Sequence, residues 1–101
     1  MLTVFRSRLR EENIDQYRAT AARMEELARA MPGFLDFKTF TADDGERVSV
    51  ILFDTLEHQS AWRRHPEHVE AQRQGRDDFY AFYDITVCEI VRRNVWPIEQ
   101  P

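Results

Sequence analysis

Residues 34–54, FLDFKTFTADDGERVSVILFD, contain the clearest secondary-structure signal in this chain. They contain two runs of strand-forming residues, FLDFKTFT and RVSVILFD, on either side of the tetrapeptide ADDG. Asp and Gly adopt the unusual backbone dihedrals of a tight turn at little energetic cost. The stretch therefore predicts two antiparallel strands joined by a hairpin turn.

The segment before the hairpin predicts one strand and one helix. Residues 2–9, LTVFRSRL, are rich in strand formers, and Asn13 and Asp15 suit the start of a helix. Apolar residues then recur at intervals of three and four, which is the spacing along one face of a helix. They are Ile14, Tyr17, Ala21, Met24, Leu27 and Met31. Pro32 and Gly33 are expected to end this helix.

The segment after the hairpin predicts helical structure and a closing strand. Residues 56–64 favour a helix, and Pro66 is placed to begin a second helical segment directly after His65. Gly75 marks a weak point within that segment. Residues 82–93 then alternate in polarity, which is typical of a strand.

The predicted order of elements is thus βαββαβ, which is the ferredoxin-like order and an α+β fold with a four-stranded antiparallel sheet. The 101 residues suffice for one domain. We assign this domain to residues 1–93. Residues 94–101, NVWPIEQP, are expected to form an extended C-terminal tail because of their prolines.

The second strand of the hairpin is apolar on both faces of the predicted sheet. Because side chains alternate along a strand, its residues divide into two sets. Val48, Val50 and Leu52 point to one face, and Ser49, Ile51 and Phe53 point to the other. The helices can cover only one face, so the other is expected to pack against the same face of a second chain, although a solvated, mildly apolar surface is the alternative. The sheet face therefore predicts a homodimer.

Composition excludes several classes of protein. With 43% hydrophobic and 32% charged residues, the chain is expected to be a folded, soluble domain. Its net charge of -4 leaves no basic surface for nucleic acid. Cys88 is the single cysteine, and no apolar run has the length of a signal or transmembrane segment. We therefore expect a cytoplasmic protein without membrane contact.

Two long stretches resemble a known family. They are residues 31–40, MPGFLDFKTF, and residues 43–93, DDGERVSVILFDTLEHQSAWRRHPEHVEAQRQGRDDFYAFYDITVCEIVRR. The PGF after the first helix, the Trp of AWRRHPEH and the run AQRQGRDDFY carry the resemblance. In this order and spacing they are similar to the antibiotic biosynthesis monooxygenase (ABM) family, whose members form dimeric α+β barrels from ferredoxin-like halves. The family includes cofactor-independent oxygenases of aromatic or polyketide substrates, haem-degrading enzymes and many members without a known activity.

The segment that begins at Trp62 holds the candidate site. On a continuous helix, Trp62, Val69, Gln72, Arg76 and Tyr80 fall broadly on one side. A large aromatic at this spacing is first a packing residue of the core. A buried amide such as that of Gln72 must find partners, so it either lines a pocket or makes a structural hydrogen bond.

Two histidines, His65 and His68, invite a metal hypothesis. A stable site needs a third and usually a fourth ligand, and apart from the acids Glu67 and Glu70 the only other histidine, His58, belongs to the preceding helix. No metal is therefore predicted. His65 suits a helix start, and its alternative role is acid/base chemistry at a pocket mouth. His68 is expected to be solvated.

Haem binding is disfavoured, because this chain differs from the haem-degrading branch of the family at two of the three positions that the branch uses. The haem-degrading branch typically pairs an Asn on the first strand with a Trp and a downstream His that binds iron. Here Ser7 stands at the Asn position, Trp62 matches the Trp, and Gln72 falls where the His is expected. Glutamine is a poor iron ligand compared with imidazole. No cofactor is predicted.

The resemblance implies oxygenation of a deprotonated phenolic substrate in a dry aromatic pocket. His65, Trp62 and Arg76 are the catalytic candidates, with His65 as the base and Arg76 as an anion stabiliser. The candidate pocket residues are Phe5, Ser7, Gln72, Phe79 and Tyr83. We expect a monooxygenase that acts on a small aromatic or polyketide-type metabolite; the alternatives are a non-catalytic ligand-binding or stress-related protein and a haem-degrading enzyme.

Overall fold

The computed structural model describes residues 1–97. Its elements are β1 (Leu2–Leu9), α1 (Ile14–Ala30), β2 (Phe34–Thr41), β3 (Arg47–Phe53), α2 (Leu56–Arg64), α3 (Pro66–Gln74), a π-helical segment (Gly75–Phe79) and β4 (Tyr80–Cys88). The strands form one antiparallel sheet in the order β2-β3-β1-β4. The predicted α+β, ferredoxin-like fold is confirmed. Within residues 1–97, no helix is long and apolar enough to cross a membrane.

The hairpin forms as predicted. Thr39 pairs with Ser49 in the β2–β3 register, and their hydroxyl oxygens lie 2.8 Å apart. At the turn, the Ala42 amide donates to the Glu46 carbonyl over 2.8 Å, and Gly45 has a φ of 91°, which favours glycine. The hairpin places the full length of β3 beside β1 in the centre of the sheet.

The predicted bounds of the closing strand, residues 82–93, are wrong at both ends. β4 begins at Tyr80, which pairs with Leu9 beyond a bulge in β1, and it ends at Cys88, which pairs with Leu2. Because β1 begins at Leu2, residues after Cys88 have no strand to pair with. The alternation of polarity in the sequence continues past the point where the partner strand stops. Of the predicted tail, residues 94–97 form no helix or strand, and residues 98–101 lie outside the described residues.

The core lies between the helices and one face of the sheet. Ile51 and Phe53 of β3 pack with Leu27 and Ala28 of α1 and with Trp62 of α2. Phe53 is 1% exposed, and its ring centroid lies 5.7 Å from that of Trp62. This confirms the apolar stripe predicted for α1 and the predicted packing role of Trp62.

The opposite face of the sheet carries a second apolar surface, which we call the open face. Its apolar residues are Leu2, Val4, Phe40, Val48, Val50 and Leu52, which are neighbours in the strand register, and the charged residues Arg6 and Lys38 lie on the same face. Phe40 is 53% exposed. No helix covers this face within residues 1–97, in agreement with the predicted alternation along β3.

Arg10 fixes the segment that joins α3 to β4. Its guanidinium donates to the carbonyl oxygens of Tyr80, Asp77 and Arg76 over 3.1, 2.8 and 3.2 Å. Gly75 opens the π-helical segment, and a Cβ there would lie 2.6 Å from the Tyr80 ring. The predicted weak point at Gly75 is therefore a close approach between backbone and ring rather than a break in helical structure.

Two glycines allow a matched test of the turn before β2. Gly33 has a φ of 81°, and a Cβ there would lie 2.2 Å from Asp54 Oδ1 and 2.3 Å from His58 Nδ1. Gly45 also has a positive φ, of 91°, but a Cβ there would meet nothing within 4 Å. We expect Gly45→Ala to lower the free energy of unfolding by about 1 kcal/mol through backbone strain, and Gly33→Ala to lower it further, because the hydrogen-bonded side chains of Asp54 and His58 must also move. Urea denaturation at one protein concentration measures both. Equal losses would contradict the packing described around Gly33.

Candidate functional site

A cavity of about 330 Å³ lies between the sheet and the helices. Thr3 of β1 and Ile51 of β3 contribute to its floor, while Tyr17 of α1, Trp62 of α2 and Gln72 of α3 contribute to its walls. The cavity therefore draws on every helix and on the central strands. A site of this construction is held by the same packing that holds the fold.

Most of the predicted site residues meet at this cavity. Those that line it are Phe5, Trp62, Gln72, Arg76, Phe79 and Tyr83. Ser7 and His65 are not among the lining residues. Ser7 is 2% exposed and lies on the helix-facing side of β1, buried in the sheet.

His65 is used at the start of a helix. Its Nδ1 accepts a hydrogen bond from the Glu67 amide over 3.2 Å, which caps α3 ahead of Pro66. Of the two interpretations of His65, the structure provides the helix-start geometry. The alternative acid/base role at a pocket mouth stays a prediction, since His65 is not among the lining residues.

The expectation that His68 is solvated is wrong, and so is the grouping of Val69 with Trp62. The backbone of His65, with φ −57° and ψ 136°, interrupts the helix between α2 and α3. This break rotates the residues that follow, so Val69 is 51% exposed while His68 lines the cavity. The His68 ring lies edge-on to Trp62 with 4.4 Å between centroids.

Gln72 sets the proton position on His68. The Gln72 Nε2 atom lies 2.9 Å from the Arg63 carbonyl oxygen and 2.8 Å from His68 Nδ1. Because a carbonyl oxygen only accepts, the Gln72 amide nitrogen must be the donor in both contacts. His68 Nδ1 is then an acceptor, and in the neutral ring the proton sits on Nε2. The amide predicted either to line the pocket or to make a structural hydrogen bond does both.

His68 is uncharged at neutral pH. Burial, followed by the nearby positive charge of Arg63, lowers the pKa of His68 to about 4. The imidazole is therefore a weak base. It serves the cavity chiefly as a neutral hydrogen-bonding group.

Three polar atoms of the cavity residues have no hydrogen-bond partner within residues 1–97. They are Thr3 Oγ1, Arg47 Nε and Trp62 Nε1, and each belongs to a residue that lines the cavity. Thr3 is 3% exposed and Trp62 is 5% exposed. An unpaired buried donor costs about 1–3 kcal/mol, so these atoms favour a ligand that carries acceptors.

Aromatic rings surround the end of the cavity where Arg47 lies. The guanidinium carbon of Arg47 lies 5.5 Å from the centroid of the Tyr17 ring. The Tyr80 ring meets those of Tyr17 and Phe5 edge-on at 5.9 and 5.4 Å. Burial raises the pKa of the Tyr80 hydroxyl above its usual range, so it stays protonated and neutral.

Arg47 was missed by the sequence analysis, although a signal for it existed. Arg47 lies two positions before Ser49 and four before Ile51 on β3, so its side chain points to the same face of the sheet as theirs. A charged residue at the inward-facing end of an apolar strand needs either a partner or a ligand. The position of Arg47 at the inward-facing start of β3 therefore marks it as a candidate site residue.

Positive charge outweighs negative charge on the cavity wall. Arg47, Arg63 and Arg76 line it, and Glu25 is the carboxylate among the lining residues. Glu25 is paired with Arg29, with 3.0 Å between its Oε2 and an Arg29 nitrogen. No ion pair involves Arg47 in the described part of the chain.

The amide of Gln72 lines the cavity, and His68 is the histidine among the lining residues. Gln72 occupies the position expected for the iron-binding histidine, and its amide nitrogen is engaged with Arg63 and His68. Among residues 1–97, no group of three or more His, Cys, Asp or Glu side chains is placed to hold a metal ion.

Sequence and structure comparisons find relatives for most of the chain. The sequence profile of the antibiotic biosynthesis monooxygenase family matches residues 1–74. The uncharacterised protein YqjZ of Bacillus subtilis is 33% identical over 90 residues, which cover 89% of this chain and 79% of YqjZ.

Among solved structures, Rv0793 of Mycobacterium tuberculosis superposes with a TM-score of 0.81 at 18% identity, covering 93% of this chain and 97% of Rv0793. The crystal structure of an antibiotic biosynthesis monooxygenase superposes with a TM-score of 0.75 at 15% sequence identity. The match covers 91% of this chain and 100% of the other. These two matches show the shared fold. With the family profile covering residues 1–74, the chain belongs to the antibiotic biosynthesis monooxygenase family.

Proposed function

We propose that this protein is a cofactor-independent monooxygenase that acts on a small aromatic or polyketide-type phenol in the cavity. The observation that carries the proposal is the set of unpaired N–H and O–H groups in an aromatic-lined cavity, among them Trp62 Nε1 and Thr3 Oγ1. Such donors stabilise the negative charge of a phenolate, and the surrounding rings exclude water from it. Family membership supports the reaction class.

In the proposed reaction the substrate itself supplies the electrons. The phenol loses its proton, and the electron-rich ring carbon forms a bond to one atom of O₂. The O–O bond then breaks, so that one oxygen remains on the ring as a quinone carbonyl. The second oxygen leaves as water with the two hydrogen atoms that the substrate has lost. Trp62 would donate to the substrate oxygen while its charge develops.

The role of His68 differs from that of an ordinary general base. With Nδ1 engaged by Gln72 and a pKa of about 4, it takes up a proton weakly at neutral pH. We assign it to hydrogen bonding through Nε2, and we assign the loss of the phenol proton to bulk solvent, so that the substrate binds as the phenolate that the cavity donors favour. Arg76, which lines the cavity, would stabilise the anion as it forms.

A second candidate function is ligand binding without turnover. The observation that favours it is the same weak basicity of His68, because a pure binding site needs donors but no base. Ligand binding without oxygen consumption would support this second function over the first.

We also propose that the protein is a homodimer that pairs through the open face. The apolar residues of this face, including Val50 and the 53% exposed Phe40, form one continuous surface across three strands. Large exposed apolar surfaces are uncommon on monomers, and a sheet face is self-complementary about a two-fold axis. Each partner would supply the layer that the other sheet lacks.

Oxygen uptake with hydroxynaphthalenes tests the reaction. We expect consumption of O₂ in the presence of EDTA and without added flavin, with Trp62→Phe lowering kcat by about tenfold to a hundredfold because it removes one donor. His65→Ala is the control, since His65 caps α3 outside the cavity; we expect it to lower the free energy of unfolding by about 1 kcal/mol and to leave the rate per folded molecule unchanged. A rate lost in His65→Ala and kept in Trp62→Phe would contradict the proposal.

The pH dependence of stability tests the environment of His68. Its folded pKa of about 4 lies below the ordinary value of 6.5, so the unfolded chain binds more protons between these values. Stability contributed by neutral His68 is therefore present above pH 6.5 and is lost as the pH falls towards 4. We expect the wild type to lose about 1–2 kcal/mol more than His68→Asn between pH 7 and pH 5, measured by urea denaturation. Identical pH profiles would place the imidazole in solvent.

A charge on the open face tests the dimer. We expect Val50→Lys to convert the protein to a monomer in analytical ultracentrifugation, because it adds a second ammonium group directly beside Lys38, where burial would leave two like charges unpaired. Val91→Lys is the matched control, since Val91 is 96% exposed and lies outside the sheet. A wild-type protein that sediments as a monomer, or a dimer that survives Val50→Lys, would contradict the proposed interface.

A further inference from the structure

We propose that the cavity selects an aromatic carboxylate, whose acid group is bound by Arg47 while an oxygen at the other end of the molecule meets Trp62 and Thr3. The inference rests on the proposed function only in placing the ligand in the same cavity. It adds a recognition site that is separate from the reacting end.

The guanidinium of Arg47 lacks a hydrogen-bond acceptor within residues 1–97. Its Nε atom is buried without a hydrogen-bond partner, and its guanidinium has no carboxylate partner within residues 1–97. Stacking on the Tyr17 ring offsets part of the desolvation of this charge but provides no acceptor. A planar fork of N–H donors that lacks an acceptor is complementary to a carboxylate.

Arg47 and Thr3 lie far apart along the cavity. Arg47 lies four positions before Ile51 on β3, and Ile51 is paired with Thr3 of β1. At about 3.3 Å per residue along a strand, the backbones of Arg47 and Thr3 are therefore separated by roughly 13 Å. The Arg47 side chain extends towards Tyr17. Trp62 instead packs against Phe37, which pairs with Ile51 at the same level of the sheet as Thr3. A ligand that satisfies both ends must be elongated.

The Thr3 end and the Arg47 end of the cavity differ in charge. The Thr3 end offers neutral donors, from the Trp62 indole and the Thr3 hydroxyl, which suit a hydroxyl, phenolate or carbonyl oxygen. The Arg47 end offers a full positive charge, which suits a monoanion. Between them lies Phe5, which pairs with Ser49 midway between Arg47 and Ile51, and its ring suits a flat hydrocarbon body. An acid group on one end of a fused aromatic system and a hydroxyl on the other matches this arrangement.

Matched ligands test the inference by isothermal titration calorimetry. The probes are 6-hydroxy-2-naphthoate and its primary amide, which differ in charge but hardly in shape. We expect the wild type to bind the acid at least about tenfold more tightly than the amide, and Arg47→Met to bind the two about equally. Met keeps the length and packing of the Arg stem, and urea denaturation checks that the variant is folded. Arg63→Met is the control for general positive charge at the cavity, since the hydrogen bond that Arg63 makes in the site uses its backbone carbonyl, and it should keep the preference.

The outcomes separate this inference from the proposed function. Equal binding of acid and amide by the wild type, absence of binding by both, or a preference that survives Arg47→Met would overturn it. Oxygen uptake measured on the same samples reports the reaction independently. A preference for the acid without oxygen uptake would support the Arg47 site and refute the oxygenase, and oxygen uptake with no preference for the acid would do the reverse.

Discussion

The contact between Trp62 and Phe53 holds the helical layer on the sheet. The two rings lie 5.7 Å apart, and Phe37 closes on the indole at 6.2 Å, so α2 is attached to β3 and β2 at one place. Buried aromatic side chains of this kind contribute several kcal/mol to stability. The packing leaves the indole N–H without a partner within residues 1–97, beside a cavity. The residue that stabilises the fold is thus also the residue that gives the site its polarity.

The break at His65 determines which side chains face that cavity. If α2 continued unbroken into α3, Val69 would lie on the Trp62 side and His68 in solvent. The extended backbone at His65 instead brings His68 to the indole and Gln72 to the Arg63 carbonyl. The backbone conformation of His65, which the following Pro66 keeps out of the helical region, therefore selects the groups that the cavity presents. The resulting hydrogen bonds leave the cavity with several donors and only a weak base.

Periodicity and turn chemistry predicted most of the fold. The hairpin, the α1 stripe and the helix starts at Leu56 and Pro66 depend on residues close in sequence, so they could be found from it. The end of β4 depends on where β1 stops, and this is a long-range constraint that alternation alone does not contain. For the site, large aromatic and amide side chains were found because their types are distinctive. Arg47 and His68 were missed because their importance comes from burial and from missing or engaged partners, which arise only when the chain is folded.

In the proposed function, unpaired donors in the cavity, above all Trp62 Nε1, are the groups that receive a ligand. The indole N–H resonance of Trp62, followed by ¹H–¹⁵N NMR during titration with 6-hydroxy-2-naphthoate, tests it most directly. Trp96, which is 88% exposed, provides an internal reference in the same spectrum. We predict that the Trp62 proton moves downfield as a new hydrogen bond forms, while that of Trp96 stays in place. A ligand that binds without moving the Trp62 resonance would contradict the account.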